Sequence, residues 1–361
     1  MIDEDDVRRL LGSAFDARAR QSVPDDAAPP PPRFAGPTQG ADAHGHRRRV
    51  VRWLAPAAAA AAVVAVVVAV PALTGDNSHE RPNNAAGTSA PAVHTSAPAP
   101  GDAVRVSAGN PSGRAYGVGM PVVAYFSQRI TNGRAFSAAT SVTVNGKPVH
   151  GAWYFERSPK GPGPIEGHLR LRTYWPAQAK VHVAVAARGR PAGPGLHFAN
   201  NFTFDFATGP QTLATVDAAR HLLTVTTDGK PIGEYPVSLG TKRTPTASGV
   251  KVIMAKGSPV CMSGPGYREC GVQYTQRLTD TGEYLHAAPW NTANIKAGID
   301  SSNGCTNLLK GDARRLYREL QVGDPVLYPN ATGPLMTMSE GYGDWDVPWK
   351  VWRTGGLVPT R

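Results

Sequence analysis

The segment GEYLHAAPWNTANIKAGIDSSNGCTNL, residues 282–308, contains a strand-like run that ends in a histidine and a polar turn that carries a cysteine. Cys305 stands between glycine and threonine in this turn, and the chain has only 3 cysteines in 361 residues. The chain between His286 and Cys305 is long enough to leave the first run, form a loop and return. A free thiol is mostly protonated near neutral pH, so a cysteine nucleophile needs a base beside it. The segment therefore indicates a nucleophilic Cys–His pair.

Each of these side chains also has a plausible alternative role. A small buried hydrophobe is an alternative for Cys305, but a Gly-Cys-Thr-Asn turn flanked by serines is an unusual place for one. A satisfied core histidine is the alternative for His286. A zinc site is disfavoured because no Cys-x2-4-Cys pair exists among Cys261, Cys270 and Cys305. Gly304 permits close approach of an acyl substrate, and the amides around Gly304 and Cys305 are candidates to hold an oxyanion.

Residues 53–73, WLAPAAAAAAVVAVVVAVPAL, carry no charge over a length that matches one membrane-spanning helix. Basic residues precede the run closely and are scarce just after it, which predicts cytoplasmic residues 1–52 and an exterior remainder. A cleaved signal peptide is the alternative, but the run begins late and is longer than a usual hydrophobic signal core. The preceding basic residues are Arg47, Arg48, Arg49 and Arg52.

The composition divides the rest of the chain. Residues 1–52 are charged and then rich in proline, which predicts a disordered cytoplasmic tail. Residues 74–102 are rich in Ala, Pro, Ser and Thr and predict an extended linker. Short alternating strands over residues 103–207, with a turn at Asn145-Gly146, predict a β-sandwich of immunoglobulin-like topology. Four aromatic residues of this region are expected in its core or interfaces, with a glycan-binding platform as the alternative: Trp153, Tyr154, Tyr174 and Trp175.

Residues 208–330 predict a second β-rich domain, with a hairpin at Asp228-Gly229. One helix is expected over Lys310 to Leu320, followed by a terminal strand. Residues 331–361 are too short for a domain, and their indoles are expected to dock on the preceding domain. The predicted fold class is therefore mainly β, with an N-terminal transmembrane helix. The indoles belong to Trp345, Trp349 and Trp352.

Several motifs resemble the L,D-transpeptidase family with its YkuD-type β-sandwich catalytic domain. That family carries a histidine, a loop, and then Ser-His-Gly-Cys-x-Asn or a close variant. TPTASGVKVI, Thr244 to Ile253, is similar to the family's entry to its catalytic sheet. HAAPW and GDWDVPWKVW are similar to the actinobacterial branch, which places immunoglobulin-like domains before the catalytic domain and a Trp-rich subdomain after it. The likeness covers about residues 103–361. The matching positions here are His286 and Ser302-Asn303-Gly304-Cys305-Thr306-Asn307.

The resemblance implies a role for each matching residue. Cys305 is expected to be the acylated nucleophile, and His286 is expected to take its proton. The main-chain carbonyl of Ala287 is expected to orient the imidazole. The expected oxyanion donors are Gly304, Cys305 and Tyr267, and the expected donor-pocket residues are Ser302, Asn303, Asn307, Trp290 and Met262. No cofactor or metal is expected.

This sequence departs from the family motif at one position and shortens one segment. Asn303 stands where the usual motif has histidine; that histidine is not the base, so the chemistry is expected to survive. The segment from Ser258 to Cys270 is shorter than the usual active-site lid of this branch. Because this segment is predicted to be extracytoplasmic, Cys261 and Cys270 are expected to form a disulfide that closes it.

Together these features imply a single-pass membrane protein that crosslinks peptidoglycan stem peptides outside the cell. By resemblance, Cys305 would form a thioester, release D-Ala and yield a 3→3 crosslink, and carbapenem-type β-lactams would acylate the same thiol. The alternatives are an L,D-carboxypeptidase and a non-catalytic cell-wall-binding protein. The net charge of +11 suits an anionic polymer, whereas nucleic acid is disfavoured because no zinc-finger spacing or long basic block is present.

Overall fold

The computed structural model describes residues 102–264 and 267–360. The predicted cytoplasmic tail, transmembrane helix and linker lie outside these residues, apart from Asp102. Within the described ranges, no helix is both long and apolar enough to cross a membrane.

The first region is a β-sandwich around an aromatic core. The elements are β1 (Ala103–Val104), β2 (Val106–Ala108), β3 (Arg114–Tyr116), β4 (Val122–Phe126), α1 (Arg134–Ala138), β5 (Thr140–Val144), β6 (Lys147–Pro148), β7 (Gly151–Arg157), β8 (Ile165–Leu171), β9 (Lys180–Val185), β10 (Pro191–Gly193), β11 (Leu196–Phe198) and β12 (Phe202–Thr208). The sheets have the strand orders β2-β4-β8-β7, β3-β12-β9-β5-β6 and β1-β11-β10.

Aromatic side chains fill the space between the two larger sheets. Phe136 from α1 contacts Trp153 of β7, with ring centroids 5.2 Å apart, and Phe126 of β4, at 5.1 Å. Trp153 and Trp175 are each 1% exposed, so they belong to the core and do not form an exposed glycan platform. The predicted sandwich is confirmed, and its alternating apolar residues face inward as the sequence pattern requires.

The second region is built on one continuous nine-stranded sheet with a separate hairpin. The elements are β13 (Thr212–Asp217), β14 (Leu222–Thr227), β15 (Lys230–Ser238), β16 (Gly249–Val252), β17 (Ala255–Gly257), β18 (Val260–Gly264), β19 (Tyr267–Val272), β20 (Thr275–Arg277), β21 (Tyr284–Ala287), α2 (Thr292–Ala297), β22 (Thr306–Leu308), α3 (Lys310–Glu319) and β23 (Pro325–Tyr328). The sheet order is β16-β23-β13-β14-β15-β22-β21-β20-β17, and β18 pairs with β19 to form the hairpin. The predicted helix is found as α3, with Ala313 and Leu316 buried against the sheet core.

The C-terminal segment docks mainly on the sandwich. It contains a short helix, α4 (Trp349–Trp352), and 3-10 turns at Met338–Glu340 and Asp344–Asp346. The ring of Trp352 stacks on Tyr154 of β7 at 5.0 Å, and its Nε1 donates to the Ala152 carbonyl at 2.8 Å. The guanidinium of Arg170, on β8, lies over the rings of three indoles, at 4.7, 5.3 and 4.4 Å from Trp345, Trp349 and Trp352.

The expectation that these indoles dock on the preceding catalytic region is therefore wrong for Trp352. Trp345 contacts both regions, because it packs with Leu213 and Val250 of the nine-stranded sheet while its Nε1 donates to the sandwich carbonyl of Gly119 at 2.8 Å. A buried arginine supplies the physical reason, since a desolvated guanidinium is stabilised by aromatic faces.

The last residues also pair with β7. The Phe155 N–H donates to the Gly355 carbonyl at 3.0 Å, and the Leu357 N–H donates to the Phe155 carbonyl at 2.9 Å. Val358 is 2% exposed and joins the sandwich core. The C-terminus thus completes one edge of a domain that begins more than two hundred residues earlier.

A buried polar cluster lies where the sandwich meets the C-terminal segment. His168 of β8 has its Nδ1 2.9 Å from Asp344 Oδ1 and its Nε2 3.4 Å from Glu166 Oε1. Glu156, opposite Glu166 in the β7–β8 register, is a further carboxyl of this cluster. Burial raises the pKa of Glu156 to about 8, and the nearby carboxylates Asp344 and Glu166 act in the same direction. The fold therefore favours a protonated Glu156.

This cluster predicts that stability falls as the pH rises through about 8. A carboxyl whose pKa is raised in the folded state stabilises it below the unfolded pKa, and that contribution is lost above the folded pKa. We expect Glu156→Gln, which keeps a neutral side chain, to recover on the order of 1–3 kcal/mol at pH 9 relative to wild type. Equilibrium unfolding at pH 6 and pH 9 measures it. Glu234→Gln, an exposed change of equal charge, should recover nothing.

Candidate active site

Two adjacent parallel strands carry the predicted Cys–His pair. In the β21–β22 register, His286 is opposite Asn307 and Leu285 is opposite Thr306. Cys305 comes immediately before β22 and two positions before Asn307. Because side chains alternate along a strand, Cys305, Asn307 and His286 belong to one face of the sheet.

The imidazole of His286 is buried and held in one orientation. His286 is 4% exposed, and its Nδ1 lies 3.0 Å from the main-chain oxygen of Ala287. A hydrogen bond from Nδ1–H to this carbonyl leaves Nε2 as the basic nitrogen. The ring of Trp290 stacks on the imidazole, with ring centroids 6.0 Å apart, and Trp290 is 58% exposed. Burial lowers the pKa of His286, so the imidazole is neutral near pH 7.

The thiol of Cys305 is also buried and uncharged at rest. The residue is 6% exposed, and Sγ lies 3.6 Å from the Gly282 carbonyl, which is placed to accept a hydrogen bond from the thiol. Burial raises the pKa of Cys305 to about 11, although a hydrogen bond from the Tyr284 main chain opposes that rise. A neutral thiol and a neutral imidazole on one sheet face are the resting states that a general-base mechanism would require.

The turn before Cys305 is held by hydroxyl groups. Gly304 adopts φ +109°, a conformation that a side chain would strain, so glycine is required there. Its N–H donates to Ser302 Oγ at 3.1 Å, and Ser302 Oγ donates to the Cys305 carbonyl at 2.6 Å. Thr246 Oγ1 donates to the Gly304 carbonyl at 2.9 Å. The Gly304 amide is therefore already engaged by Ser302.

The remaining predicted site residues divide between the sheet and the β18–β19 hairpin. Asn307 is 4% exposed in β22, whereas Asn303 is exposed at the turn. Met262 is 7% exposed in β18, and Tyr267 begins β19. Burial raises the pKa of Tyr267, and a thiolate at Cys305 would act in the same direction. The hairpin therefore brings the Tyr267 hydroxyl within electrostatic reach of Cys305.

Comparison with protein families identifies this region. A model described as the L,D-transpeptidase catalytic domain, YkuD, matches residues 211–327. The chain carries a YkuD-type L,D-transpeptidase catalytic domain. A second model, a bacterial Ig domain, matches residues 77–191 and overlaps the sandwich.

Individual relatives agree with the L,D-transpeptidase assignment. L,D-transpeptidase 2 of Mycobacterium tuberculosis is 30% identical over 253 residues, which are 67% of this chain and 60% of that protein. L,D-transpeptidase 5 of the same species is 31% identical over 258 residues, 68% of this chain and 55% of that protein. The matches thus span less than two thirds of these relatives. A solved L,D-transpeptidase in complex with imipenem has 27% identity and a TM-score of 0.50, covering 62% of this chain and 97% of that one.

The predicted disulfide of the L,D-transpeptidase domain is confirmed. Cys261 and Cys270 are bonded at an S–S distance of 2.05 Å and close the hairpin that carries Met262 and Tyr267, whereas Cys305 is a free cysteine. We expect Cys261→Ser with Cys270→Ser to lower the free energy of unfolding by about 2–3 kcal/mol, because the bond restricts the unfolded chain. Denaturant unfolding with and without reductant measures the loss. Three titratable thiols in denatured, oxidised wild-type protein would contradict the bond.

Sequence reasoning missed two charged residues of the L,D-transpeptidase domain. Lys251 of β16 is 0% exposed, its Nζ is ion-paired with Glu283, and it lies 3.9 Å from the centre of the Tyr328 ring. Glu283 Oε1 also accepts a hydrogen bond from the Ala247 N–H at 2.8 Å. The available signal was a lysine inside the otherwise apolar run GVKVI.

One group of potential metal ligands is found in the described ranges, away from the L,D-transpeptidase site. Atoms of Glu156, Glu166 and His168 lie within 4.8 Å of one another. Both imidazole nitrogens already face carboxylates, since Asp344 and Glu166 occupy the two sides of the ring. An ion pair accounts for this arrangement.

Proposed function

We propose that this protein is a peptidoglycan L,D-transpeptidase that acts through a thioester on Cys305. The observation that carries the proposal is the buried thiol on the same sheet face as a neutral imidazole whose tautomer is fixed by the Ala287 carbonyl. The family match over residues 211–327 supports the same reaction class.

In this mechanism the sulfur attacks the carbonyl of the L,D bond that follows the diamino acid of a donor tetrapeptide stem. His286 Nε2 takes the thiol proton as the carbon–sulfur bond forms. The tetrahedral intermediate then collapses, the carbon–nitrogen bond to D-Ala breaks, and the imidazolium gives its proton to the departing amine. The acyl group remains on Cys305 as a thioester.

The side-chain amine of a neighbouring stem completes the reaction. It attacks the thioester carbonyl, His286 accepts the amine proton, and the sulfur leaves and recovers a proton as the 3→3 amide bond forms. Because the Gly304 N–H is bonded to Ser302, we assign the oxyanion to the Cys305 N–H and the Tyr267 hydroxyl, with Gly304 fixing the turn.

The donor stem occupies the exposed mouth above this pair. We assign its walls to Trp290, which is exposed on the imidazole, and to the hairpin residue Met262. Ser302 supports the pocket from within the turn, and Asn307 lies on the same sheet face as His286. Asn303, exposed beside the turn, is available to hydrogen-bond a substrate but cannot exchange a proton near neutral pH.

We also propose that residues 53–73 anchor the chain in the cell membrane, with residues 1–52 cytoplasmic and the catalytic domain outside. The uncharged run after four arginines and a net charge of +11, which suits an anionic wall, support this placement. The proposed units are a linker at 74–102, an immunoglobulin-like domain at 103–207, the catalytic domain at 208–330 and a C-terminal subdomain at 331–361.

A reporter joined after Arg361 through a flexible linker tests the orientation. A periplasm-type reporter that is active only outside the cytoplasm should function, and a reporter that is active only inside should not. Activity of the cytoplasmic reporter would overturn both the orientation and the action on the wall.

Product analysis tests the reaction itself. The full-length protein is incubated with a tetrapeptide stem, with and without an acceptor amine, and the products are identified by mass. We expect D-Ala release and a crosslinked dimer that depends on the acceptor. Tripeptide alone under both conditions would indicate an L,D-carboxypeptidase, and neither D-Ala nor acyl-enzyme would indicate a non-catalytic wall-binding protein.

The same thiol gives a second measurement. Since a relative with this fold has been solved in complex with imipenem, we expect a carbapenem to acylate Cys305 here. Intact-mass measurement should show one adduct per chain.

A further inference from the structure

Lys251 lies in an unexpected position for a lysine. It is the third residue of β16, a strand of four buried residues in the interior of the catalytic domain, and it is 0% exposed. A lysine that is fully removed from water requires compensation by partners, because an isolated buried ammonium is strongly disfavoured. Burial accordingly lowers the pKa of Lys251, and Glu283 opposes that shift.

The partners of Lys251 also contact the turn that holds Cys305. Glu283 is ion-paired with Lys251, and its side chain is the nearest neighbour of the open side of Gly304, 3.6 Å from where a Cβ would stand. Tyr328, whose ring lies below the Lys251 ammonium, shares a hydrogen bond of 2.7 Å with Thr306, the residue after Cys305.

The main chain next to Glu283 also approaches the Cys305 sulfur. Gly282, immediately before it, has its carbonyl 3.6 Å from Cys305 Sγ. The Lys251–Glu283 pair is therefore packed against the turn that carries the nucleophile. In a site of low dielectric constant, charges at such positions act strongly on a developing thiolate.

We propose that Lys251 and Glu283 are positioning residues that set the ionisation of Cys305: the ammonium favours the thiolate, and the carboxylate holds the ammonium in place while opposing the thiolate. This assignment deepens the proposed function, because the same thiol carries the acyl group. The directions agree with the shifts at Cys305, whose pKa Glu283 raises and Lys251 lowers.

Other titratable groups face this site and remain unchanged in the test. His286 shares the sheet face of Cys305, Tyr267 approaches from the hairpin, and Tyr328 lies beside Lys251. Asp346, from the C-terminal segment, accepts hydrogen bonds from the Val250 N–H at 3.0 and 2.9 Å and also favours the charged lysine.

The pH dependence of thiol alkylation tests the proposal without any stem peptide. Because Cys261 and Cys270 are bonded, iodoacetamide applied to the native, full-length protein without reductant reports Cys305 alone. The measured quantity is the midpoint pH of the alkylation rate, which reports the ionisation of the Cys305 thiol. We expect Glu283→Gln to lower this midpoint by about one pH unit, which raises the alkylation rate at pH 7 about tenfold. Adding Lys251→Met to that variant removes the remaining charge and should return the midpoint to the wild-type value or above.

The opposite directions distinguish an electrostatic role from a structural one. Damage to packing would slow alkylation in both variants. It would not lower the midpoint in Glu283→Gln and then raise it again in the double variant. Unchanged midpoints, or shifts in the same direction, would overturn the proposal. Glu234→Gln, an exposed change of equal charge, should leave the midpoint unchanged. If the double variant does not fold, Lys251→Arg in the Glu283→Gln background replaces it. This variant keeps the positive charge, so its midpoint should stay lowered. A midpoint that returns to the wild-type value would overturn the proposal.

Failure of this inference and failure of the proposed function are distinguishable. If the midpoints shift as expected but the protein makes no crosslink, the electrostatic role of the pair stands and the transpeptidase function is wrong. Crosslinking with midpoints that do not move would reject the pair alone.

Discussion

Replacing Cys305 with alanine is expected to abolish both the carbapenem adduct and crosslink formation. In the proposed reaction the thiol carries the acyl chain, and Cys305 is the free cysteine of the described residues. His286→Ala is expected to slow acylation by roughly 10²–10⁴, the usual contribution of a positioned general base. The measurement is the rate at which intact protein gains the adduct mass.

Asn303→His is the matched control for this pair of variants. It changes a side chain two positions from the nucleophile, but the exposed Asn303 is not the base, so substantial activity should remain. An adduct on Cys305→Ala, or an Asn303→His protein as inactive as His286→Ala, would show that the wrong residues have been assigned.

The pH profile of wild-type acylation gives an independent check on His286. Because burial lowers the pKa of this imidazole from 6.5, it stays neutral and able to accept a proton at more acidic pH than an exposed histidine. The acid limb of the rate should therefore fall below pH 6.5. Asn303→His should alter the shape of this profile more than its maximum.

Trp352→Ala is expected to cost about 3–5 kcal/mol of stability, the largest effect among substitutions outside the site. The indole is 0% exposed, stacks on Tyr154 and covers the buried guanidinium of Arg170. Its removal leaves a cavity and weakens the compensation of a buried charge. Denaturant unfolding, followed by far-ultraviolet circular dichroism, measures the change.

Val351→Ala serves as the control, because it alters the same short helix at a side chain that is 46% exposed. We expect a loss below about 1 kcal/mol for this variant, as for most surface changes. Equal losses for Val351→Ala and Trp352→Ala would mean that the helix, and not the indole, provides the stabilisation.

Local chemistry explains which parts of the fold were predictable. Asn145 and Gly146 both adopt positive φ in the β5–β6 turn, and Asp228 and Gly229 do the same between β14 and β15. Only a few residue types tolerate that conformation, so the dipeptides alone identify the hairpins. The turn that holds Cys305 was similarly conspicuous, because its run of serine, asparagine, glycine and threonine has a composition that a core segment lacks.

Contacts between distant segments were not predictable in the same way. Nothing in the tail sequence indicates that Trp352 would meet Arg170, since that contact depends on a partner about 180 positions away. Lys251 was missed for a related reason: in a strand, a lysine usually marks the solvent face, and its partner Glu283 lies in another segment. Asp346 is a further example. Its carboxylate accepts a hydrogen bond from the Val250 N–H, which connects the C-terminal segment to β16.

The pairing of the C-terminus with β7 has a consequence for biosynthesis. A domain usually folds once its own residues have been made, but Val358 and the Gly355 carbonyl belong to the sandwich that starts at Ala103. The nascent sandwich would therefore expose the edge of β7 and its aromatic face until residues 355–358 leave the ribosome. During that interval the sandwich is incompletely closed, and its completion has to wait until residues 355–358 have been made.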